Sequence, residues 1–519
     1  MTDRRRWLGL PFIALGVSLI IVDATIVNVA VPSIVDELRI TSSDAQWVQE
    51  IYTLVFASLL LVFGRIADRL GRRRLFALGA AGFAVASMLA ANAPTGQLLI
   101  LARLLQGLAG AMMLPNSLSL LNANFQGRDR GIAFAVWGST IGAAAAFGPL
   151  LGGWLTTSHS WRWAFGINLP IAAAVVFGVL RFVDESRADE GRRGADIVGA
   201  LLSVIGIGSV VFGLIEGRTY GWWTSLGEHT ILGVHWTAGI SAIPVAFAIG
   251  LVVIAAFLRI EVQRNRAGRP VLLDLGLLRV RSFRNANIAA GIVSLGEFGL
   301  LFALPLWLQN VLGYTAFESG LLLLALAIGS FVASGLGAPL GNARGPVFVV
   351  RTGILLEFLG ILASGAVVST TTQWWQIAAP LFVYGMGVGL ATAQLTGVAL
   401  IDIPISESGQ ASGITSTTRQ LGSALGIAVL GTVLFSSLGS GLDSRLSGMP
   451  PQARTAITQA VVSSAGAAIP GIAAQPGSAA VAVAAREAFS VATRWSAFVG
   501  ALFLLLGWLA TRRLRTAQS

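Results

Sequence analysis

Apolar residues in this chain fall into long runs, separated by short stretches where arginine, glycine and proline gather. A helix needs roughly 20 predominantly apolar residues to cross the hydrocarbon layer of a membrane. Runs of that length occupy, approximately, 7–31, 45–66, 75–92, 97–121, 131–156, 163–183, 196–215, 236–258, 286–310, 316–338, 347–368, 374–401, 408–437 and 491–511. They predict an all-α membrane protein of 14 transmembrane helices, and an even number of spans puts both chain ends on one face. The first run is long, contains Asp23 and has no small-residue cleavage site before the next run, so it reads as a span and not as a signal peptide.

Composition narrows the classes further. Hydrophobic residues make up 55% of the 519 positions and charged residues 11%, against roughly 25% charged in soluble domains. A single soluble globule, a disordered chain and a secreted disulfide scaffold are thereby excluded. Cysteine is absent, and the histidines (His159, His229, His235) are scattered, so no metal site is expected. The net charge of +11 comes from arginine alone, there being no lysine. Counted by loop, 26 arginines fall on the face of the chain ends and 6 on the opposite face. This asymmetry predicts a multi-pass protein of the cell membrane with both termini cytoplasmic, and it accounts for the basic balance without a nucleic-acid partner. Residues 259–285 are basic and partly amphipathic, which suggests an interfacial helix on anionic membrane lipid. Residues 438–490, rich in Ala, Ser, Gly and Pro, read as a loosely structured outer loop.

The chain also resembles itself. Overlaying Gly107 on Gly385 places Gln106 on Tyr384 and Arg103 on Leu381, and overlaying Gly71 on Gly345 places Asp68 on Asn342. These matches suggest two pseudo-symmetric six-helix halves, an architecture that places substrate sites at the interface of the repeats. The expected division is 1–183 for the N-terminal half, 184–258 for two inserted central helices, 259–285 for a cytoplasmic linker and 286–519 for the C-terminal half.

Two constellations carry chemistry. The loop GRIADRLGRRR, from Gly64, packs Asp68, which lies between Gly64 and Gly71, among five arginines. Gly64 and Gly71 permit a tight turn and close helix approach, and Asp68 suits the positive N-terminal end of another helix. The second constellation is one of depth. At 1.5 Å per residue, Asp23 lies roughly 12 Å inside the outer edge of the first span and Arg103 roughly 9 Å inside that of the fourth. Opposite charges at matching depth can neutralise each other. Such a pair either holds the fold together or, if the acid exchanges a proton, serves as a switch.

GRIADRLGRRR resembles the signature loop of the major facilitator superfamily, and further motifs follow in order. Asp23-Ala24-Thr25-Ile26-Val27-Asn28-Val29-Ala30-Val31-Pro32 is similar to the first-helix motif of its fourteen-helix drug:proton antiporter branch. Arg103, Gln106, Gly107 and Gly110 resemble the fourth-helix motif, and Gly138, Gly142, Gly148, Pro149, Gly152 and Gly153 the fifth-helix antiporter motif. Trp161–Phe165 with Asn168 and Pro170, and Arg419–Gly422 with Gly426, resemble that branch's sixth and thirteenth helices. The resemblance implies export of hydrophobic or cationic drugs, driven by inward proton flow as the halves rock. It implies no cofactor beyond the proton gradient, a small-molecule substrate, protons and lipid as partners, monomeric action and no enzymatic reaction. Gly64, Asp68, Arg69, Gly71 and Arg72 would then form the gating loop, and Asp23, Arg103, Glu50 and Glu297 the proton-coupling set.

Glu50 either joins that set or faces water at the interface. Glu357, also mid-span, belongs to a peripheral helix and reads as packed against protein or protonated. Candidates for the cavity wall are Asn28, Gln106, Trp137, Gln309, Tyr384, Gln394 and Arg419, with Phe302 and Trp307 among further aromatics. Thr415, Ser416 and Gln420 stand where some quaternary-cation exporters of the branch carry acids, a departure from the dication-pump pattern. An exporter of one natural product or envelope lipid, or a uniporter or symporter of a metabolite, remains an alternative.

Overall fold

The computed structural model describes residues 3–40, 42–187, 196–227, 229–231 and 234–514. In the N-terminal half the helices are α1 (Asp3–Leu38), α2 (Ser42–Leu70), α3 (Arg72–Ala91), α4 (Gly96–Asn124), α5 (Gly127–Ser158), α6 (Arg162–Gly166) and α7 (Asn168–Phe182). Then come α8 (Ile197–Tyr220), a two-stranded antiparallel hairpin of β1 (His229–Ile231) and β2 (Val234–Trp236), and α9 (Ala242–Arg266). The C-terminal half holds α10 (Arg281–Asn310), α11 (Ala316–Arg344), α12 (Pro346–Val367), α13 (Trp374–Ala399), α14 (Ser408–Arg445), α15 (Pro451–Ser463), α16 (Ala468–Ala473) and α17 (Ala479–Ala510).

Thirteen stretches among the described residues are long and apolar enough to cross a membrane, α6 and α7 together forming one of them. The 32-residue α5, packed along α1 and α11, completes the fourteen-helix bundle. The protein is a multi-pass membrane protein. Local chemistry sets several helix starts: Thr95, Asp196 and Ser241 accept hydrogen bonds from backbone N–H groups of the first turns of α4, α8 and α9. Thr315 and Glu318 form a reciprocal capping box on α11.

The internal repeat is visible in packing. A Cβ on Gly107 would stand 2.6 Å from the Tyr52 carbonyl oxygen of α2, and one on Gly385 would stand 2.0 Å from the Leu326 carbonyl oxygen of α11. The overlaid glycines thus bring α4 onto α2 and α13 onto α11. Gly71 and Gly345 both have positive φ, +106° and +84°, immediately before α3 and α12. Likewise α5 packs on α1 through Gly148, and α14 on α10 through Gly422 and Gly426. The halves meet where α2 and α4 touch α14 and where α5 touches α11 and α13, while α8 lies beside the α2–α14 seam and α9 packs on α8.

Two expectations change. The segment 259–285 is not an interfacial helix: α9 ends at Arg266, Gly268 takes a positive φ, and Val271, Leu272 and Leu273 are buried. The Val271 carbonyl accepts from Arg65 at 3.2 Å, and the Leu273 N–H donates to Glu261 at 2.9 Å. The apolar residues of the linker therefore plug the end of the bundle. Residues 438–490 are largely helical, because α14 continues to Arg445 and α15 and α16 bury Val461 and Ile469. Alanine, the best helix former, dominates that stretch. The all-α class holds, with β1 and β2 a short addition between α8 and α9.

Replacing Gly385 by Ala should lower the melting temperature of the purified protein by the equivalent of about 1–3 kcal/mol, since the methyl group overpacks a backbone contact. Gly335→Ala, whose Cβ meets nothing within 4 Å, should leave it unchanged.

Candidate functional site

At the face carrying the chain ends, Gly64 lets α2 approach α14 so closely that a Cβ there would be 2.6 Å from the Gly409 carbonyl oxygen. One turn further along α2, Asp68 is fully buried and accepts hydrogen bonds from the backbone N–H groups of Gly409 (2.8 Å) and Gln410 (2.9 Å). These are orphan donors of the first turn of α14, where the helix dipole also favours a negative charge. Arg72, equally buried, pairs with Asp68 at 2.6 Å and donates to the Ile405 carbonyl at 2.6 Å. Asn122 of α4 donates to the Ser408 hydroxyl at 2.6 Å. Together these bonds clamp the two halves at the terminal face. Gly71 holds the turn into α3 with Glu185 against it, and Arg69 sits half-buried at the end of α2.

Toward the far face lies a cavity of about 1790 Å³ between the halves. Of the residues expected at a site, Glu50, Arg103, Glu297, Gln309, Tyr384 and Arg419 line it, and Phe302 does too. Behind its N-terminal wall is a buried polar network. Arg103 pairs with Asp23, donates to Gln106 at 2.8 Å and to the Val48 carbonyl at 3.1 Å, and lies 4.3 Å from the Tyr52 ring centroid. The second Asp23 oxygen accepts from Gln106 at 2.9 Å and from Asn168 at 2.7 Å, and both amides also reach the Ser87 hydroxyl. The cation, the acid and their amide supports therefore come from α1, α4 and α7, and the serine that receives both amides from α3. Asp23 is fully buried, and Arg103 and Tyr52 separate it from the cavity space.

On the C-terminal side, Glu297 of α10 lies 3.9 Å from Arg419 of α14 and accepts from Thr392 at 3.5 Å. The Tyr384 hydroxyl donates to the Glu297 backbone carbonyl at 3.4 Å. Glu357 of α12 is fully buried behind Glu297.

Three residues expected in the cavity wall lie elsewhere. Gln106 is spent on Asp23 and Ser87, the Trp137 indole donates to the Ser117 hydroxyl at 2.9 Å, and Gln394 is buried beside Gly131 and Gly337. Their helix faces point into packing and not into the opening. Trp307 is likewise buried, donating to Ser490. Of the fifth-helix motif, Gly138, Gly152 and Gly153 are buried, and a Cβ on Gly148 would come 1.7 Å from the Thr25 hydroxyl oxygen. The surroundings of Asn28, Gly142 and Pro149 lie outside the described residues. Ser87 was missed by sequence reasoning because a lone serine in an apolar helix carries no signal. Asn168 was noted only as part of a motif.

The pattern described as Major Facilitator Superfamily matches residues 13–197 and 188–427. The chain belongs to the major facilitator superfamily. It is 34% identical over 468 residues to a probable actinorhodin transporter of Streptomyces coelicolor, covering 88% of this chain and 77% of that one. It is 32% identical over 461 residues to the multidrug efflux pump LfrA of Mycolicibacterium smegmatis, covering 89% and 87%. The puromycin resistance protein pur8 of Streptomyces alboniger is 32% identical over 435 residues, covering 83% and 82%. Among solved structures, the human organic anion transporter MFSD10 superposes with a TM-score of 0.63 at 14% identity, covering 98% of this chain and all (100%) of that one. The proton:xylose symporter XylE superposes with a TM-score of 0.56 at 13% identity, covering 91% and 96%. At these identities the two structures speak for the shared fold of this superfamily member.

Replacing Asp68 by Ala strands the buried Arg72 and two α14 donors, a loss that costs about 3–5 kcal/mol when one partner of a buried pair is removed. Because the chain has no cysteine, spin labels at Leu70→Cys and Ile405→Cys report the clamp cleanly. Their distance distribution should gain a longer component in Asp68→Ala, and an unchanged distribution would show that the clamp lies elsewhere.

Proposed function

We propose that this superfamily member is a proton-driven antiporter of the cell membrane that exports hydrophobic or cationic drugs and antibiotics, working as a monomer with its terminal face in the cytoplasm. The cavity carries this reading. It is large enough for a drug-sized molecule, is walled by side chains such as Phe302, Leu301 and Tyr384, and contains the ionisable groups Glu50, Glu297, Arg103 and Arg419. The excess of arginine on the terminal face supports the orientation. The clamp at Asp68 then makes the described arrangement closed to the cytoplasm.

In the proposed cycle the clamp opens, substrate enters from the cytoplasm or the inner leaflet, and the halves rock back to the arrangement described. Protonation of an acid in the cavity wall weakens its hold on the substrate, which leaves outward, and the proton later departs inward. Asp23, buried behind that wall, acts in this cycle through Arg103, which does line the cavity. When Asp23 is ionised, Arg103 is held in the cavity wall; when it is protonated, that charge-assisted bond weakens and the guanidinium is freed toward the opening. No cofactor is required, since the gradient supplies the energy. Similarity to relatives named for actinorhodin or puromycin favours, as a second reading, a pump dedicated to one natural product.

The test is transport in liposomes with an imposed pH gradient. Asp23→Asn and Arg103→Ala should each lower gradient-driven flux by on the order of tenfold or more, the equivalent of about 1.4 kcal/mol. The double variant Asp23→Asn/Arg103→Gln buries no lone charge and should regain stability without regaining coupling. Flux in the unsubstituted protein that persists when the gradient is collapsed would favour a uniporter instead.

A further inference from the structure

We infer that Glu297 and Glu357 share a single proton and together form the proton-loading site of the C-terminal half. The Glu357 side chain packs at Gly387 of α13, between Tyr384 and Thr392, the two α13 residues that hold Glu297. It is fully buried, and neither of its oxygens meets a hydrogen-bond donor. The neighbouring donors are committed to other acceptors: Arg419 reaches Glu297 at 3.9 Å, Thr392 donates to Glu297, and the Tyr384 hydroxyl is used on the backbone carbonyl of residue 297. Two carboxylates buried against the same stretch of α13 with one arginine to share cannot both stay ionised, whereas one proton held between them gives each a partner. Buried polar groups without partners are rare, and each asks for an explanation; here the missing partner is H⁺.

The charges around the pair fit this occupancy. Arg419 from α14 and Tyr384 from α13 are the charged or titratable groups that act on it, and α11 and α17 supply none among the described residues. With one shared proton the pair carries a single negative charge, which Arg419 balances. When the proton leaves through Glu297 to the cavity water, the surplus negative charge lies against the cavity, where a cationic substrate can take the proton's place and balance it. Glu297 lines the cavity and Glu357 does not. Glu297 is therefore the member that exchanges with substrate, and Glu357 is a positioning residue that keeps it protonated until then. This exchange role rests on the antiport reading, but the shared proton does not.

Infrared spectroscopy separates the two, because a neutral carboxyl has a C=O stretching band distinct from that of a carboxylate. At about neutral pH the purified protein should show a neutral-carboxyl band that Glu357→Gln removes and Asp23→Asn leaves in place. Absence of the band, or its persistence unchanged in both Glu357→Gln and Glu297→Gln, overturns the shared proton. In liposomes, with ethidium as the probe, Glu357→Gln should cut pH-gradient-driven export by on the order of tenfold while still binding ethidium. Should Glu357→Gln fail to fold, Glu297→Gln, which keeps the buried acid, serves in its place. If the unsubstituted protein answers to the gradient and both variants answer equally, the exchange role is overturned. If the unsubstituted protein ignores the gradient, the antiport reading falls with that role, and the infrared result alone decides the shared proton.

Discussion

A charge carried into a medium of low dielectric constant must be met by an opposite charge or by several hydrogen bonds, or it costs several kcal/mol. That requirement organises this bundle. Asp23 is met by Arg103, Gln106 and Asn168, so three helices of the N-terminal half, α1, α4 and α7, are tied through one carboxyl. Asp68 is met by Arg72 and by the open end of α14, so a side chain of one half completes a helix of the other. The second case differs in kind. Its donors belong to both halves, and relative movement of the halves must break it. The positive end of α14 therefore works as a latch, held by a carboxylate that cannot be left behind cheaply.

The same requirement governed what could be read along the chain. Span number, the pairing of Asp23 with Arg103, and the reach of Asp68 toward a helix N-terminus were legible, because each follows from a constant rise per residue or from the scarcity of charge in apolar runs. The overlay of Gly107 on Gly385 was legible for a related reason. Close helix contacts demand small residues, and these recur in both halves. Rotation about a helix axis was not legible. Gln106, Trp137 and Gln394 have cavity-wall chemistry but face packed neighbours, and a phase error of one or two positions is enough to exchange the two environments.

The segments outside the bundle were misread for a different physical reason. The linker at 259–285 has an amphipathic composition, and composition alone cannot tell a lipid surface from the end of a helix bundle as the place where Leu272 and Leu273 are buried. The alanine-rich stretch after α14 looked like a loop because it carries Gly and Pro. Yet Pro451 stands in the first turn of α15, where its missing N–H costs nothing, and small side chains favour the helix that follows.

The two halves repeat the same scaffold but treat their buried acids unequally. Asp23 has a full set of partners within its own half, one of them permanently charged. Glu297 has a more distant arginine and a second acid for a neighbour. Counted from the overlaid Gly71 and Gly345, α12 brings Glu357 in within about one turn of the level where α3 carries the neutral Ser87. A pair of buried acids facing one arginine is incomplete without a proton. If H⁺ is what moves the bundle, the C-terminal half is where its arrival changes the charge balance most. The cavity wall formed by Glu297 and Arg419 then has to switch between holding a cation and releasing it.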